Sequence, residues 1–248
     1  MINLQNERIL LTGGGKGLGR AVVNALVALG AMVTVVARDK TLLNEAAGTN
    51  VLIVDGDVTD KVLIEKVIGD LQPTLLILNA GATPVMAPMD EQDWESFSAV
   101  WNTDVKAGLF GIQAALKTPV PPGGRVMIVS SGAAWGGSPL SGGYAGAKRM
   151  LWPMAKYANE MAIRRSHRIH FQVVLPTQII GETDFGQHSA SAIAQSRNMT
   201  IENYLAAGNG KPFSAKEYAD YFVKLLTDIN YADGIAYSIN YDGITKLE

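Results

Sequence analysis

Tyr144 and Lys148 are the two residues whose types and spacing point most directly to acid–base chemistry. Because they are four apart, they lie one turn apart on the same face if the segment that contains them is a helix. A lysine ammonium beside a phenol favours the phenolate and so lowers the pKa of the tyrosine from its reference value of about 10. The pair predicts a proton-transfer site, although the same spacing also arises where a ring is packed beside a solvated amine.

The segment around this pair supplies a strand, a loop and the required helix. The apolar run Val126 to Val129 predicts a buried strand that stops at Ser130 and Ser131. A loop rich in Gly, Ser and Pro follows, and a helix is predicted from near Tyr144 toward Arg164. The hydroxyl of Ser131, at the strand end, could then hold a substrate oxygen against the phenol.

The start of the chain combines a strand, a glycine-rich turn and a helix. Arg8 to Thr12 is a short apolar run, and Arg20 to Leu29 has the apolar spacing of a helix. Such a junction presents free backbone N–H groups and a positive helix end to a phosphate, and glycines let the backbone approach it closely. We therefore predict a dinucleotide site rather than a plain turn. The predicted phosphate-binding residues are Gly13, Gly15, Lys16, Gly17, Leu18 and Gly19.

The end of the second predicted strand, Met32 to Ala37, indicates which cofactor fits. A carboxylate there would hydrogen-bond the ribose 2′-hydroxyl of NAD and repel a 2′-phosphate. The chain instead has Ala37 followed by Arg38, and Lys16 can point toward the same place. Two cations without a carboxylate favour NADP(H), because Arg grips phosphate with two parallel hydrogen bonds. The alternative for Arg38 is a solvated loop charge.

Two further strand ends carry candidate cofactor contacts. The third predicted strand, Val51 to Val54, leads to Asp57 and Val58. Asp57 could accept a hydrogen bond from the adenine amino group, or it could cap a helix, a role for which Asp60 competes. The fourth strand ends at Asn79-Ala80-Gly81, at the carboxyl edge where ligands bind in open α/β sheets.

The remaining chain continues the alternation of strands and helices. His170 to Leu175 predicts a sixth strand that ends at Pro176 and Thr177, and Ile235 to Asn240 predicts a last strand. Between about 181 and 210 the alternation of strands and helices is lost, which predicts a substrate lid with one or two short helices. The alternation predicts an α/β fold, with a parallel sheet covered by helices on both faces. We find no linker or repeat, so a single domain over residues 1–248 is expected.

Composition limits the classes of partner and site. The chain has 248 residues, a formal net charge of -2 and no basic block, which argues against nucleic acid or an anionic membrane as the main partner. With no Cys and no signal-peptide core or membrane-length apolar run, we expect a cytoplasmic protein. His167, His170 and His188 lack metal-ligand spacing, so no metal site is predicted.

Together these motifs resemble the short-chain dehydrogenase/reductase family over nearly the whole chain. The family's Thr-Gly-x-x-x-Gly-x-Gly appears from Thr12 to Gly19, its Asn-Ala-Gly at 79–81 and its Tyr-x-x-x-Lys at 144–148. Ser131 stands thirteen residues before the tyrosine, as the family's serine does. The resemblance implies a Rossmann-like doubly wound fold, NAD(P)-dependent oxidoreduction of a carbonyl or alcohol, and a homodimer or homotetramer.

The resemblance also implies a role for each catalytic residue. Lys148 would bind the nicotinamide ribose, Tyr144 would donate or remove the proton, and Ser131 would position the substrate oxygen. Pro176, Thr177 and Ile179 would lie beside the nicotinamide. On this hypothesis a hydride passes between nicotinamide C4 and a carbonyl carbon.

The chain departs from the family pattern at two positions. The family's helix asparagine, which helps a proton relay through the lysine, falls on Asp104, and Asn102 could replace it only if the helix is locally irregular. Asp104 could hold a water near Lys148 or pair with it. The family's Pro-Gly after the sixth strand is replaced by Pro176-Thr177. The threonine side chain would narrow the space beside the nicotinamide.

Two other functions remain open from the sequence. A 3-oxoacyl-thioester reductase would need a basic surface beside the lid, where only Arg197 and Lys211 occur. A non-catalytic NADP-binding sensor or scaffold is favoured by Asp104 and opposed by the intact Ser/Tyr/Lys set. The substrate itself is not encoded in a readable motif. The candidate substrate-pocket residues are Trp135, Met86, Phe185 and Tyr204.

Overall fold

Eight strands form one sheet in a computed structural model that describes residues 3–5, 7–38, 50–118, 120–207 and 211–248. The order across the sheet is β3-β2-β1-β4-β5-β6-β7-β8. The strands are β1 (Arg8–Thr12), β2 (Met32–Ala37), β3 (Val51–Asp55), β4 (Leu75–Leu78), β5 (Arg125–Val129), β6 (His170–Pro176), β7 (Ala236–Asn240) and β8 (Gly243–Lys246).

Helices alternate with these strands. A π-helical segment, Trp101–Val105, joins the third and fourth α-helices. Short 3₁₀ turns occupy Met89–Glu91 and Ile229–Tyr231. The α-helices of the described residues are α1 (Gly17–Ala28), α2 (Lys61–Leu71), α3 (Trp94–Val100), α4 (Lys106–Lys117), α5 (Ala133–Gly136), α6 (Gly142–Arg164), α7 (Asp184–Ser196), α8 (Ile201–Ala207) and α9 (Ala215–Thr227).

Each face of the sheet has its own hydrophobic core, because side chains alternate along a strand. Leu10 and Leu76 point to the layer that holds α2, α4 and α6, whereas Leu11 and Ile77 point to the layer of α1 and α9. All four side chains are fully buried or nearly so. The predicted α/β fold, with a doubly wound sheet and helices on both faces, is therefore confirmed.

The last part of the sheet differs from the prediction. The sequence pattern predicts seven strands in a wholly parallel sheet, but β8 turns back and pairs antiparallel with β7. The reversal occurs at Asp242 and Gly243, where Gly243 has a φ of +119°. β8 lies at the edge with partly exposed residues, so it lacks the apolar run that marks the buried strands.

Two further segments follow β4 and β6 along the chain. Helix α3 begins at Trp94, because Asp93 caps it by accepting from the backbone N–H of Ser96 at 2.7 Å. In the predicted lid the structure has α7 and α8, and residues 208–210 lie outside the described part. Among the described residues, no helix has the length and apolar character needed to cross a bilayer.

Candidate active site

A cleft of about 950 Å³ opens at the carboxyl ends of the parallel strands, where the strand order reverses between β1 and β4. Residues predicted from separate parts of the sequence line it together. They are Gly13, Gly15, Lys16, Gly17, Leu18, Gly19, Arg38, Val58, Asn79, Ala80, Gly81, Met86, Ser131, Tyr144, Lys148, Pro176, Thr177, Ile179 and Phe185.

The glycine turn is shaped to receive a phosphate. Gly13 has a φ of +75°, and a Cβ there would come within 2.8 Å of Ala80 Cα; Gly17 has a φ of +55°. Helix α1 begins with no side-chain cap at Lys16 and no acidic residue in its first turn. Its first backbone N–H groups therefore remain available to an anion, whereas α2, α3, α7 and α9 are each capped by a side chain. This junction fits a pyrophosphate.

Asn79 and Thr12 hold the glycine turn against the end of β4. Asn79 Nδ2 donates to the carbonyl oxygens of Thr12 and Gly13 at 3.1 and 3.0 Å. Thr12 Oγ1 accepts from the backbone N–H groups of Asn79 and Ala80 at 3.0 and 3.1 Å. The side chain of Asn79 thus joins two loops, and the Thr12 hydroxyl has a structural role that its place in the glycine motif did not predict.

The two cations expected at the adenosine end both line the cleft, but Lys16 is paired with a carboxylate. Arg38 is exposed at the end of β2 and lines the cleft. Lys16 instead forms an ion pair with Asp184 at 3.0 Å, which joins the glycine turn to the start of α7. In this arrangement the Lys16 ammonium is engaged by a carboxylate of the predicted lid, and its support of Arg38 stays a prediction.

Asp57 is held by its own turn. Its Oδ1 accepts from both the backbone N–H and the hydroxyl of Thr59, each at 2.8 Å. The backbone hydrogen bond, followed by that of the hydroxyl, lowers the pKa of the carboxyl below its usual range. Asp57 does not line the cleft, although its neighbour Val58 does, and Asp60 is the cap of α2.

Tyr144 is buried at the start of α6, beside the end of β5. Burial raises the pKa of its phenol above the usual value, although Lys148 and a hydrogen bond with Ser131 act to lower that pKa. This corrects the expectation of a phenol made acidic by its neighbour. Ser130 anchors this arrangement, since its hydroxyl donates to the Lys148 carbonyl oxygen at 2.8 Å.

Lys148 is paired directly with the residue that departs from the family pattern. Its Nζ lies 2.9 Å from Asp104 Oδ2, and their side chains are only 6% and 0% exposed. Burial acts to lower the pKa of Lys148, but the charge of Asp104, together with Tyr144, raises that pKa. The helix is indeed irregular at this point, yet Asp104 is the inward residue and Asn102 is exposed.

A model of the short chain dehydrogenase family matches residues 7–192 of the chain. The chain belongs to this family. It is 30% identical to a cis-2,3-dihydrobiphenyl-2,3-diol dehydrogenase of Pseudomonas sp. (strain KKS102), over 98% of this chain and 92% of that protein. It is also 29% identical to L-xylulose reductase of Homo sapiens, over 79% of this chain and 80% of that protein.

Solved structures share the fold. Levodione reductase superposes with a TM-score of 0.82 at 22% identity, covering 94% of this chain and 95% of that chain. A short chain dehydrogenase/reductase from Burkholderia phymatum in complex with NAD gives a TM-score of 0.75 at 17% identity, covering 95% of this chain and 90% of that chain. The resemblance inferred from the motifs is confirmed: the chain is an oxidoreductase of a family that uses a nicotinamide cofactor.

The substrate side of this short-chain dehydrogenase contains two of the four predicted residues. Met86 lines the cleft, and the ring of Phe185 lies 5.4 Å from that of Tyr144, between centroids. Trp135 is 60% exposed, and neither it nor Tyr204 on α8 lines the cleft. The guanidinium of Arg197 lies over the Tyr204 ring, 5.5 Å from its centroid. Lining residues that the sequence analysis did not single out are Ala82, Ala133, Ser138, Ser141, Ser189 and Ile193.

Proposed function

We propose that this protein is an NADP(H)-dependent oxidoreductase that interconverts a carbonyl compound and a secondary alcohol, with Tyr144 as the general acid and base. One observation carries the proposal. Ser131, Tyr144 and Lys148 lie in the same cleft as the uncapped start of α1, although they come from separate parts of the matched region. A phosphate-binding turn and a proton donor in one cleft suit nicotinamide chemistry.

The chain's own residues would hold such a cofactor along the carboxyl edge of the sheet. The glycine turn and the N-terminus of α1 would bind the pyrophosphate, and Lys148 the nicotinamide ribose. Thr177 and Ile179, which line the cleft after β6, would border the nicotinamide. When bound, the nicotinamide supplies or accepts the hydride.

The preference for NADP(H) rests on Arg38. Arg38 lines the cleft at the end of β2, where β2 itself ends in Ala37 rather than in a carboxylate. A guanidinium can form paired hydrogen bonds to a 2′-phosphate, whereas NAD would gain nothing comparable from it. The relative that is named as a complex with NAD shares only the fold at 17% identity, so it does not decide the cofactor of this chain.

The reacting end of the cleft would transfer the proton. In reduction, Tyr144 donates its proton to the substrate oxygen, and Ser131 donates a hydrogen bond that positions the same oxygen. In oxidation, the phenolate takes the proton back. The buried position of Tyr144 under the ring of Phe185 limits access of water to the phenol.

The lining around Tyr144 favours an uncharged substrate. Met86, Phe185 and Ile193 supply apolar surface, and Ser138 and Ser141 supply hydroxyl groups that contact each other at 2.6 Å. The only cation that lines this end within the described chain is Lys148, which is paired with Asp104. A phosphate or carboxylate on the substrate would therefore lack a partner. Two similar proteins are named for a diol and for L-xylulose, which both carry hydroxyl-bearing carbons.

The test is a panel of uncharged ketones, diols and sugars, assayed with NADPH and NADH in parallel. We expect turnover with NADPH, and we expect Tyr144→Phe to lower kcat by about 10²–10⁴-fold while leaving cofactor affinity close to that of the wild type. Tyr157→Phe is the matched control, because Tyr157 lies on the same helix but is exposed. A Tyr144→Phe enzyme with most of its activity would overturn the assignment, and NADPH binding without turnover of any compound would favour a sensor.

A further inference from the structure

The loop after β4 is built around the ion pair of Asp104 and Lys148. Asp104 Oδ2 contacts the Lys148 ammonium at 2.9 Å, and Oδ1 accepts from the backbone N–H of Ala82 at 2.8 Å. A Cβ at Gly81 would come within 2.8 Å of Oδ2 and 3.1 Å of Nζ, so the glycine leaves space for both groups. Three elements thus converge on one buried carboxylate, which is well fixed in position.

The π-helical segment Trp101–Val105 brings this carboxylate inward. A π-helical turn adds a residue to an α-helix and changes which side chains face the core. Here Asp104 becomes fully buried while Asn102, two residues earlier, faces solvent. An α-helix is interrupted at the position that supplies the partner of the catalytic lysine.

The charges that face Tyr144 can be counted directly. Lys148 comes from the same helix as Tyr144, and Asp104 comes from the π-helical segment. The loop after β5 contributes the neutral hydroxyl of Ser131, and α7 contributes the neutral ring of Phe185. With the phenol protonated, the formal charges of these groups sum to zero. Loss of the phenolic proton leaves one uncompensated negative charge in a buried site, which is unfavourable. With asparagine at position 104, the same loss would bring the site from a positive charge to zero.

We propose that Asp104 is a positioning residue whose carboxylate cancels the charge of Lys148, so that Tyr144 keeps its proton into alkaline pH. The inference rests on the proposed function, in which Tyr144 is the proton donor. A phenol that is protonated near neutral pH is ready to donate its proton, as carbonyl reduction requires. The raised pKa of the phenol, caused first by burial and opposed by Lys148, agrees with this charge count.

The experiment measures the titration of Tyr144 directly, in the protein without cofactor. The tyrosinate ultraviolet absorbance is recorded against pH for the wild type and for Asp104→Asn, each minus its Tyr144→Phe counterpart. We expect a wild-type midpoint above the reference value of about 10. We expect Asp104→Asn to lower that midpoint by about one pH unit or more, since removing a nearby like charge favours the phenolate. The pH profile of kcat for alcohol oxidation should shift in the same direction.

Two control variants separate charge from general damage. Asp104→Glu keeps the carboxylate and should restore the wild-type midpoint, which loss of packing alone would not explain. Asp93→Asn removes a carboxylate that caps α3 at the surface and should leave the midpoint unchanged. If Asp104→Asn does not fold, a wild-type midpoint below that of free tyrosine would still overturn the inference.

The outcomes that overturn the inference are distinct from those that overturn the proposed function. The proposed role of Asp104 would be overturned, even in an active enzyme, by a wild-type midpoint below that of free tyrosine. It would also be overturned if folded Asp104→Asn had the same Tyr144 midpoint as the wild type. Conversely, the absorbance titration requires no turnover. Full activity of Tyr144→Phe would remove the proposed function while the effect of Asp104 on the phenol could still be measured.

Discussion

Among single residues, Tyr144 is the proposed proton donor, and its surroundings determine its pKa. Burial raises the pKa of its phenol, and Lys148 and Ser131 only partly oppose this rise. Proximity of an ammonium therefore does not by itself make a phenol acidic. The ammonium must also keep its charge uncompensated, and in this cleft Asp104 compensates it at 2.9 Å.

Arg38 is the residue on which cofactor preference is predicted to depend. We expect Arg38→Asp to lower kcat/KM for NADPH by about 10–100-fold, because hydrogen bonds to charged groups contribute about 1.5–3 kcal/mol. The same change should raise kcat/KM for NADH, since a carboxylate there can bind the ribose hydroxyl. Steady-state kinetics with both cofactors measure the ratio.

Arg168→Asp is the control for this change, because Arg168 is exposed just before β6, at the opposite end of the strands from the cleft. It alters the net charge by the same amount and should leave the cofactor ratio unchanged. An NADPH preference that survives Arg38→Asp would mean that another group binds the 2′-phosphate.

Among the elements, the junction of β1, the glycine turn and α1 depends on close backbone packing. Gly19 lies on α1 against the carbonyl of Gly13 and the side chain of Asn79. The motif Thr12 to Gly19 predicted this junction from residue types alone, because only glycine permits both the positive φ of Gly13 and the contact at Gly19. The bond network of Asn79 was not predictable, since it links residues 66 and 67 positions apart.

Gly19→Ala tests whether this junction is as tightly packed as the structure indicates. A Cβ there would overlap the Gly13 carbonyl oxygen and come within 2.5 Å of Asn79 Nδ2. We expect the free energy of unfolding to fall by about 1–3 kcal/mol, as for other overpacked sites. Chemical denaturation measures the change.

Gly69→Ala is the matched control, because Gly69 lies on α2 with no atom within 4 Å of an added Cβ. There we expect stabilisation by about 0.5–1 kcal/mol, since alanine has the higher helix propensity. Equal effects of the two substitutions would contradict the close packing at Gly19.

Across the whole molecule, β8 closes one edge of the sheet and ties the C-terminal residues to α6. Leu247 N donates to Ala236 O at 2.8 Å, and Glu248 accepts from Trp152 Nε1 at 2.8 Å and pairs with Lys156. The strand covers the hydrogen-bonding edge of β7, which would otherwise be open to pairing with other chains.

Removal of residues 243–248 should therefore expose that edge. We expect a loss of stability of about 1 kcal/mol for each backbone hydrogen bond removed, together with concentration-dependent aggregation. Thermal unfolding and light scattering measure these two effects. Glu248→Gln, which removes only the charge, should leave the protein unaggregated; a truncated protein that stays monodisperse and equally stable would show that β8 has no such role.

Local pattern was sufficient for the order of strands and helices, the glycine turn and the pairing of Tyr144 with Lys148 on one helix, because these depend on residue types a few positions apart. Packing between distant segments decided the rest. The π-helical turn that buries Asp104 rather than Asn102, the pairing of Lys16 with Asp184 and the exposure of Trp135 all arise where one element contacts another. Burial and net charge are properties of the assembled site, and they reversed the expected pKa of Tyr144.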